Sequence, residues 1–274
     1  MSLSRQPIGI FDSGIGGLSV LKALRTELPH EDFIYIADSR HAPYGERDDA
    51  HVSARSLAIA SYLVRQNIKA LVVACNTATA TAIDLLRATY PNLPIIGVEP
   101  ALKPAVSMST TKHIGVMATR STLSSARFAA LLAAQNNRAH FILSPCDGLA
   151  EAIERSSESS DSAEVIAICV RLLEAMEIFN PSNKQEQRID TLVLGCTHYP
   201  FAAQHIAAHA GQDVQLIDTS AAVARQARHR LGDLLSTQQN KSAVELISTG
   251  DPAALRVAAR AWMGLTSDVK TIFI

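Results

Sequence analysis

Short runs of apolar, mostly β-branched residues alternate along the chain with longer segments in which apolar residues recur every three or four positions. The short runs predict strands over residues 8–11, 33–37, 70–74, 95–98, 113–117, 140–143, 191–195 and 214–217. After Gly17 the helical pattern is clear, because leucines from 18 to 28 share one face before Pro29 ends the segment. This alternation predicts an α/β fold with mostly parallel sheets.

Two polar stretches interrupt the pattern in the second half of the chain. They are RSSESSDSAE over residues 155–164 and NPSNKQEQR over residues 180–188. Their serine, asparagine and charged residues predict solvated loops.

The chain also contains an internal echo. IGIFDSG from Ile8 is similar to IGVMATR from Ile114, and LVVACNTA from Leu71 is similar to LVLGCTHY from Leu192. The echo predicts two similar α/β domains, each with a cysteine where a strand meets a helix. Ligands bind at the carboxyl ends of parallel strands, so two such edges facing each other would form a site in an interdomain cleft.

Composition narrows the class of protein. The 274 residues are 47% hydrophobic, which allows sizeable cores, and 25 basic residues balance 26 acidic ones for a net charge of −1. Nucleic acid and membrane surfaces are therefore not expected partners. We also expect a cytoplasmic protein, because the N-terminus lacks a signal-peptide pattern. The four cysteines are too few and too dispersed for a disulfide framework, so they should be thiols.

The cysteines at 75 and 196 share a local context that argues for chemistry. Each ends a strand and precedes polar residues, and Asn76 or Thr77 is predicted to cap the helix after Cys75. The positive end of that helix would favour a thiolate. A buried structural role is the plainer alternative. Zinc binding is disfavoured because none of Cys75, Cys196 and His198 belongs to a CxxC or HxxxH spacing, so no metal is expected.

Other residues near strand ends have less specific signals. DSGIGG from Asp12 resembles a dinucleotide-binding turn, with Asp38 in the place of a ribose-binding acid, but its glycine spacing is wrong and Asp12 would repel a pyrophosphate. Proton handling suits Asp12 better. The loop HAPYGER at 41–47 can bind a carboxylate through its main chain. Cys146 and Cys169 are interpreted as packing residues.

Six motifs together resemble those of the cofactor-independent glutamate racemases, the two-cysteine aspartate/glutamate racemase family. They are DSGIGG at Asp12, PYG at Pro43, ACNTAT at Ala74, IGVEPALKPA at Ile96, GVMAT at Gly115 and GCTHYPF at Gly195. The resemblance implies interconversion of L- and D-glutamate without any cofactor, supplying D-glutamate for bacterial peptidoglycan. It also implies a homodimer.

The resemblance further implies roles for individual residues. Cys75 would remove the α-proton in the D-to-L direction and Cys196 in the L-to-D direction, with Asp12 assisting Cys75. Glu151 and His198 would assist Cys196, with Glu154 as the alternative to Glu151 because Asp147 replaces a proline common in the family. The implied substrate-binding residues are Asp12, Ser13, Tyr44, Gly45, Asn76, Thr77, Thr119, Thr197 and His198.

For the architecture, the resemblance implies two α/β domains related by a pseudo-twofold axis, with the active site in the cleft between them. The first domain would comprise residues 1–97 and 211–274, and the second residues 98–210. Three functional alternatives remain: an aspartate or broad-specificity amino-acid racemase, a non-catalytic amino-acid-binding sensor and, more remotely, a nicotinamide oxidoreductase.

Overall fold

The structure is a computed structural model, and it describes residues 5–135, 137–159, 161–177, 187–236 and 242–274. Its strands are β1 (Ile8–Asp12), β2 (Phe33–Ala37), β3 (Ala70–Val73), β4 (Ile95–Gly97), β5 (His113–Ala118), β6 (His140–Pro145), β7 (Thr191–Leu194), β8 (Gln215–Ile217), β9 (Val244–Ser248) and β10 (Val269–Thr271). Its α-helices are α1 (Leu18–Glu27), α2 (Asp49–Arg65), α3 (Asn76–Thr89), α4 (Leu102–Met108), α5 (Arg120–Ser124), α6 (Ala126–Ala133), α7 (Leu149–Ser159), α8 (Ala163–Ala175), α9 (Ala203–Ala210), α10 (Ser220–Leu231) and α11 (Pro252–Met263).

The chain divides into two compact units. The first comprises Met1–Val98 and Ser220–Ile274, and the second comprises Glu99–Thr219. The resemblance implies that residues 211–219 belong to the first domain, but β8 pairs with β7 and therefore lies in the second unit. The chain returns to the first unit only with α10.

The first unit is built on a six-stranded sheet in the order β10-β9-β2-β1-β3-β4, and every neighbouring pair is parallel. β1 and β2 are buried along their full length, which explains why their sequences are continuous apolar runs. The α2 and α3 helices pack on this sheet through a core that includes Phe11, Ile59 and Ile83.

The second unit is built on a four-stranded parallel sheet in the order β6-β5-β7-β8. Side chains of α4 and α6 pack against β5 and β7, and Val106, Val116 and Phe128 belong to this core. The α/β class and the parallel sheets predicted from the apolar runs are confirmed.

The echo in the sequence corresponds to a repeat in the two sheets. The order β2-β1-β3-β4 in the first sheet matches β6-β5-β7-β8 in the second. The register also matches, because Gly9 lies opposite Leu71 in one sheet and Gly115 opposite Leu192 in the other. The two cysteine motifs therefore follow equivalent strands, β3 and β7.

The pattern of apolar residues does not predict β9 or β10. β10 has three residues, two of them exposed, and β9 is only half-buried at its start, so neither presents a long apolar run. The prediction of a loop over the first polar stretch is also wrong, since residues 155–159 continue α7. Ser156 and Ser157 donate hydrogen bonds to carbonyls one turn earlier, which makes serine tolerable in that helix. Most of the second stretch, residues 180–186, lies outside the described residues.

Candidate active site

Asp12 ends β1 and lies at the start of α1. Its fully buried carboxylate accepts the main-chain N–H groups of Ser13, at 2.8 Å, and Gly17, at 2.5 Å. A Cβ atom at position 17 would lie 2.7 Å from Cβ of Asp12, so only glycine allows this close approach. The main-chain N–H groups at the start of α1 therefore hold the Asp12 side chain in one orientation.

Cys75 lies between β3 and α3 and is itself the N-cap of the helix. Its Sγ accepts a hydrogen bond from the main-chain N–H of Ala78 at 3.4 Å. The prediction that Asn76 or Thr77 caps the helix is wrong, because extended Cys75 occupies the cap position and these two residues begin the helix. A thiolate at this position is stabilised by the N–H donor and by the helix dipole.

Four more predicted residues belong to the first unit with Cys75. Tyr44 is fully buried and belongs to the same apolar cluster as Cys75, and Gly45 follows it in the short 3-10 turn Tyr44–Glu46. Thr77 is also buried. The carboxamide oxygen of Asn76 is buried but has no hydrogen-bond partner in the structure. Buried polar atoms are usually hydrogen-bonded, so this oxygen is a candidate ligand-binding group.

Cys196 follows β7 in the second unit and contacts a histidine. Its Sγ lies 3.7 Å from Nδ1 of His198, and Nε2 of His198 lies 2.7 Å from Oε1 of Glu154. Burial opposes charge on the His198 ring, but the bonds to Cys196 and Glu154 outweigh it and raise the pKa of His198 well above its ordinary range. The three side chains form a continuous path for a proton between the sulfur and the carboxylate.

The structure brings Glu154 rather than Glu151 to His198. Glu151 is half-exposed and forms an ion pair with Arg155 at 2.5 Å. Glu151 is the glutamate that the resemblance implies for this role, with Glu154 as its alternative. Residues three apart on a helix differ by only about 60° in direction and share a face, so it is the contacts that distinguish the two carboxylates: Glu154 binds His198, whereas Glu151 pairs with Arg155.

Thr119 and Thr197 complete the predicted set in the second unit. Thr119 follows β5 and caps α5, where its Oγ1 accepts the N–H of Thr122 at 3.2 Å. Thr197, next to Cys196, is buried. These residues follow adjacent strands, because β5 and β7 pair directly.

Of the other two cysteines, Cys146 donates a hydrogen bond from its thiol to the main-chain oxygen of Ser144 at 3.3 Å. Both are buried, and burial raises the pKa of the Cys146 thiol to about 12 and that of the Cys169 thiol to about 11. They are therefore protonated at neutral pH, as expected of packing residues. Each of the four cysteines is a thiol in the structure.

Among the described residues, no group of three or more His, Cys, Asp or Glu side chains is arranged to hold a metal ion. None of the helices in the described ranges is long and apolar enough to cross a membrane. Asp38, which the dinucleotide alternative assigned to a ribose, is buried and accepts hydrogen bonds from three protein side chains. Two of those partners, Arg55 and Thr249, were missed by the sequence analysis because no motif marks them.

Comparisons with known proteins agree on one family. The model of the Asp/Glu/Hydantoin racemase family matches residues 17–227. The glutamate racemase of Cupriavidus pinatubonensis is 44% identical over 270 residues, covering 98% of this chain and 95% of its own length. That of Methylococcus capsulatus is 43% identical over 268 residues, covering 97% and 95%.

Solved structures of glutamate racemases share the fold over nearly the whole chain. The RacE1 isoform of Bacillus anthracis superposes with a TM-score of 0.84 at 28% identity, covering 99% of this chain and 98% of its own. The Escherichia coli enzyme, in complex with L-glutamate and the activator UDP-MurNAc-Ala, gives a TM-score of 0.84 at 28% identity and 98% coverage of both chains. The Francisella tularensis enzyme, in complex with D-glutamate, gives 0.81 at 29% identity, covering 99% and 98%. The chain therefore belongs to the Asp/Glu/Hydantoin racemase family, in which the relatives that it matches over nearly their full length are glutamate racemases.

Proposed function

We propose that this protein interconverts L- and D-glutamate by two-base proton transfer, with one thiol from each unit. The observation that carries the proposal is the repeated strand-to-helix junction, which presents Cys75 after β3 and Cys196 after β7 at equivalent positions. Racemisation removes a proton from one face of the α-carbon and returns one to the other face. Two acid/base groups of one kind meet that requirement, provided that one is thiolate while the other is thiol.

In the D-to-L direction, the Cys75 thiolate takes the α-proton and the Cys196 thiol donates one to the opposite face. The N–H of Ala78 and the dipole of α3 stabilise the thiolate before the reaction. Asp12, at the end of the neighbouring strand β1, is the proposed helper of Cys75. Its fixed carboxylate suits a group that holds or passes a proton.

In the L-to-D direction the roles reverse, and Cys196 is the base. The imidazolium of His198 stabilises the Cys196 thiolate, and Glu154 stabilises the imidazolium in turn. When Cys196 must donate a proton, the same path can restore it. We assign the helper role to Glu154 in place of Glu151 on the strength of the 2.7 Å contact to His198.

The polar residues around the two thiols are the proposed binding groups for glutamate. The main chain at Tyr44–Gly45 suits a carboxylate, and the unpartnered carboxamide oxygen of Asn76 suits the substrate ammonium. The remaining donors are hydroxyl groups and main-chain N–H groups at the four junctions that follow β1, β3, β5 and β7, at Ser13, Thr77, Thr119, Thr197 and His198. Such fixed dipoles also stabilise the carbanion that forms at the α-carbon.

The proposed setting is a cytoplasmic homodimer that supplies D-glutamate for peptidoglycan, as the family resemblance implies. Sedimentation velocity of the purified protein tests the dimer, since a monomer at micromolar concentration would contradict it. Solved neighbours in complex with L-glutamate and with D-glutamate support the choice of substrate.

The deciding experiment measures wash-in of deuterium at the α-carbon of each glutamate enantiomer in D2O by NMR. We expect Cys75→Ala to abolish exchange from D-glutamate and Cys196→Ala to abolish it from L-glutamate, with losses of at least about 100-fold. Cys169→Ala is the matched control, because it removes a buried thiol outside the site.

Full exchange in either active-site variant would contradict the two-base mechanism. Faster turnover of aspartate than of glutamate would favour the aspartate racemase alternative. Tight binding of glutamate without any exchange in the unmodified protein would favour the sensor.

A further inference from the structure

Asp38 is the centre of a buried cluster that the proposed reaction does not use. Its Oδ1 accepts hydrogen bonds from Nη2 of Arg55, at 2.9 Å, and from Oγ1 of Thr249, at 2.6 Å. Its Oδ2 accepts from Nε of Arg55, at 3.0 Å, and from the hydroxyl of Tyr44, at 2.5 Å. The Arg55 guanidinium therefore binds the Asp38 carboxylate in a bidentate manner. This arrangement fixes the orientation of the carboxylate as well as pairing the two charges.

The remaining guanidinium nitrogen of Arg55 contacts Ile274, the last described residue. This atom, Nη1, donates to the main-chain oxygen of Ile274 at 2.7 Å. Ile272 and Ile274 pack against the apolar cluster that contains both Tyr44 and Cys75. One arginine on α2 thus connects the segment after β10 to the carboxylate that holds Tyr44.

The loop before Tyr44 is held from the side of β9 as well. The N–H of Arg40 donates to Oγ1 of Thr249, and the N–H of His41 donates to the carbonyl of Asp38. A Cβ atom at Gly250 would lie 3.0 Å from the main-chain nitrogen of Arg40, so the two backbones touch. The loop can therefore move little while the Asp38 cluster is intact.

We propose that Asp38 and Arg55 are positioning residues for glutamate, which fix the hydroxyl of Tyr44 and hence the Tyr44–Glu46 turn beside Cys75. The inference rests on the proposed function, in which that turn binds a substrate carboxylate. Neither residue needs to touch the reacting atoms, because both act through Tyr44.

The protonation states of Asp38 and Tyr44 favour a hydrogen bond between them that does not depend on pH. Burial favours the neutral acid, but the bonds from Arg55, Thr249 and Tyr44 outweigh it and lower the pKa of Asp38. Burial and the adjacent carboxylate raise the pKa of Tyr44, so its hydroxyl remains a donor. The Tyr44–Asp38 bond therefore keeps one direction throughout the pH range in which enzymes of this kind are assayed.

The test compares the kinetics of Tyr44→Phe, Arg55→Lys and Asp38→Asn with those of the unmodified protein. We expect KM for glutamate to rise about tenfold in each, with kcat changed by less than about threefold, because binding geometry is lost and the proton-transfer groups remain. Arg55→Lys is the mildest change, since it keeps the charge but loses the planar fork. Glu245→Gln is the matched control, because it breaks an exposed Lys270–Glu245 ion pair between β10 and β9 without touching Tyr44.

A double-mutant cycle separates positioning from a general effect on folding. If Arg55 acts through the Tyr44 hydroxyl, Arg55→Lys should raise KM at least about threefold less in the Tyr44→Phe background than in the unmodified protein. Independent effects on KM, or an unchanged KM in both single variants, would overturn the positioning role while leaving the proposed function intact. Absence of α-proton exchange in the unmodified protein would overturn both.

Discussion

Glu151 and Glu154 lie one turn apart on α7, yet only Glu154 contacts His198. The distinction cannot be made from composition, because both residues are glutamates in the same helix. It depends on the direction in which each side chain leaves the helix. At the scale of the residue, the direction of the side chain decides which of the two glutamates can assist His198.

The two glutamates therefore form a matched pair for mutation. We expect Glu154→Gln to lower kcat at least about tenfold in both directions. Cys196 is the proposed base in the L-to-D direction and the proposed acid in the D-to-L direction, and in both cases the path through His198 loses the charge of Glu154. Glu151→Gln should change kcat less than about twofold, since its side chain is half-exposed. Steady-state rates for both enantiomers measure this, and the reverse ranking would return the helper role to Glu151.

His198 also makes the stability of the protein depend on pH. Its pKa is raised in the folded state, so its stabilising effect is fully present below the unfolded value of about 6.5 and is lost as pH rises through the folded pKa. We expect His198→Gln to lower the free energy of unfolding by about 1.5–3 kcal/mol at pH 6 and by progressively less at alkaline pH.

Urea unfolding of the His198→Gln variant and of the unmodified protein at several pH values measures this difference. A difference that grows with pH would contradict the assignment of His198 as a cation in the folded state.

At the scale of the element, each candidate thiol is placed by the junction of a strand and a helix. Cys75 has two roles there, because its sulfur caps α3 and is also the proposed base. Serine can cap a helix as Cys75 does, but its hydroxyl is a far weaker base than a thiolate. The two roles can therefore be separated by one substitution.

We expect Cys75→Ser to keep the free energy of unfolding within about 0.5 kcal/mol, because serine is a good N-cap. Turnover should nevertheless fall at least about 100-fold, because a serine hydroxyl is a far weaker base than a thiolate. Urea unfolding and the racemisation assay measure the two effects. A large loss of stability with turnover preserved per folded molecule would make Cys75 a structural residue.

The junction of β1 and α1 has its own constraint at Gly17. A methyl group there would meet Cβ of Asp12 at 2.7 Å and the hydroxyl of Tyr35 at 2.8 Å. We expect Gly17→Ala to destabilise the protein by about 1–3 kcal/mol, as overpacking does, and to lower turnover by displacing Asp12.

Lys22→Ala is the control for Gly17→Ala, because Lys22 is exposed on the same helix. Thermal unfolding and the racemisation rate are measured for both variants. Unchanged turnover in Gly17→Ala would show that the position of Asp12 does not matter.

At the scale of the whole molecule, the four cysteines fall into two chemical classes. Burial raises the pKa of Cys146 to about 12 and of Cys169 to about 11, whereas Sγ of Cys75 accepts the N–H of Ala78 and Sγ of Cys196 lies 3.7 Å from Nδ1 of His198. We expect iodoacetamide at pH 8 to modify the second class at least about tenfold faster, as followed by peptide mass spectrometry. Equal rates at all four sites would contradict the division.

Much of this arrangement could be predicted from local sequence, because strand runs and the paired cysteine motifs are continuous in the chain. The echo between Leu71 and Leu192 even corresponds to the register of the two sheets. Contacts between distant segments could not be predicted in this way. Arg55 and Thr249 have no local signal, and β9 and β10 are too short and too exposed to stand out.

The Asp38 cluster has a consequence for the order in which the chain is made. Thr249 is separated from Asp38 by 211 positions, and Ile274 from Arg55 by 219, with the whole second unit encoded between them. A ribosome therefore exposes both cysteine junctions before Thr249 and Ile274, the last contacts of the Asp38 cluster, emerge. A nascent chain released early would present its thiols without a fixed turn for the substrate, so that activity would report on completion of the first sheet.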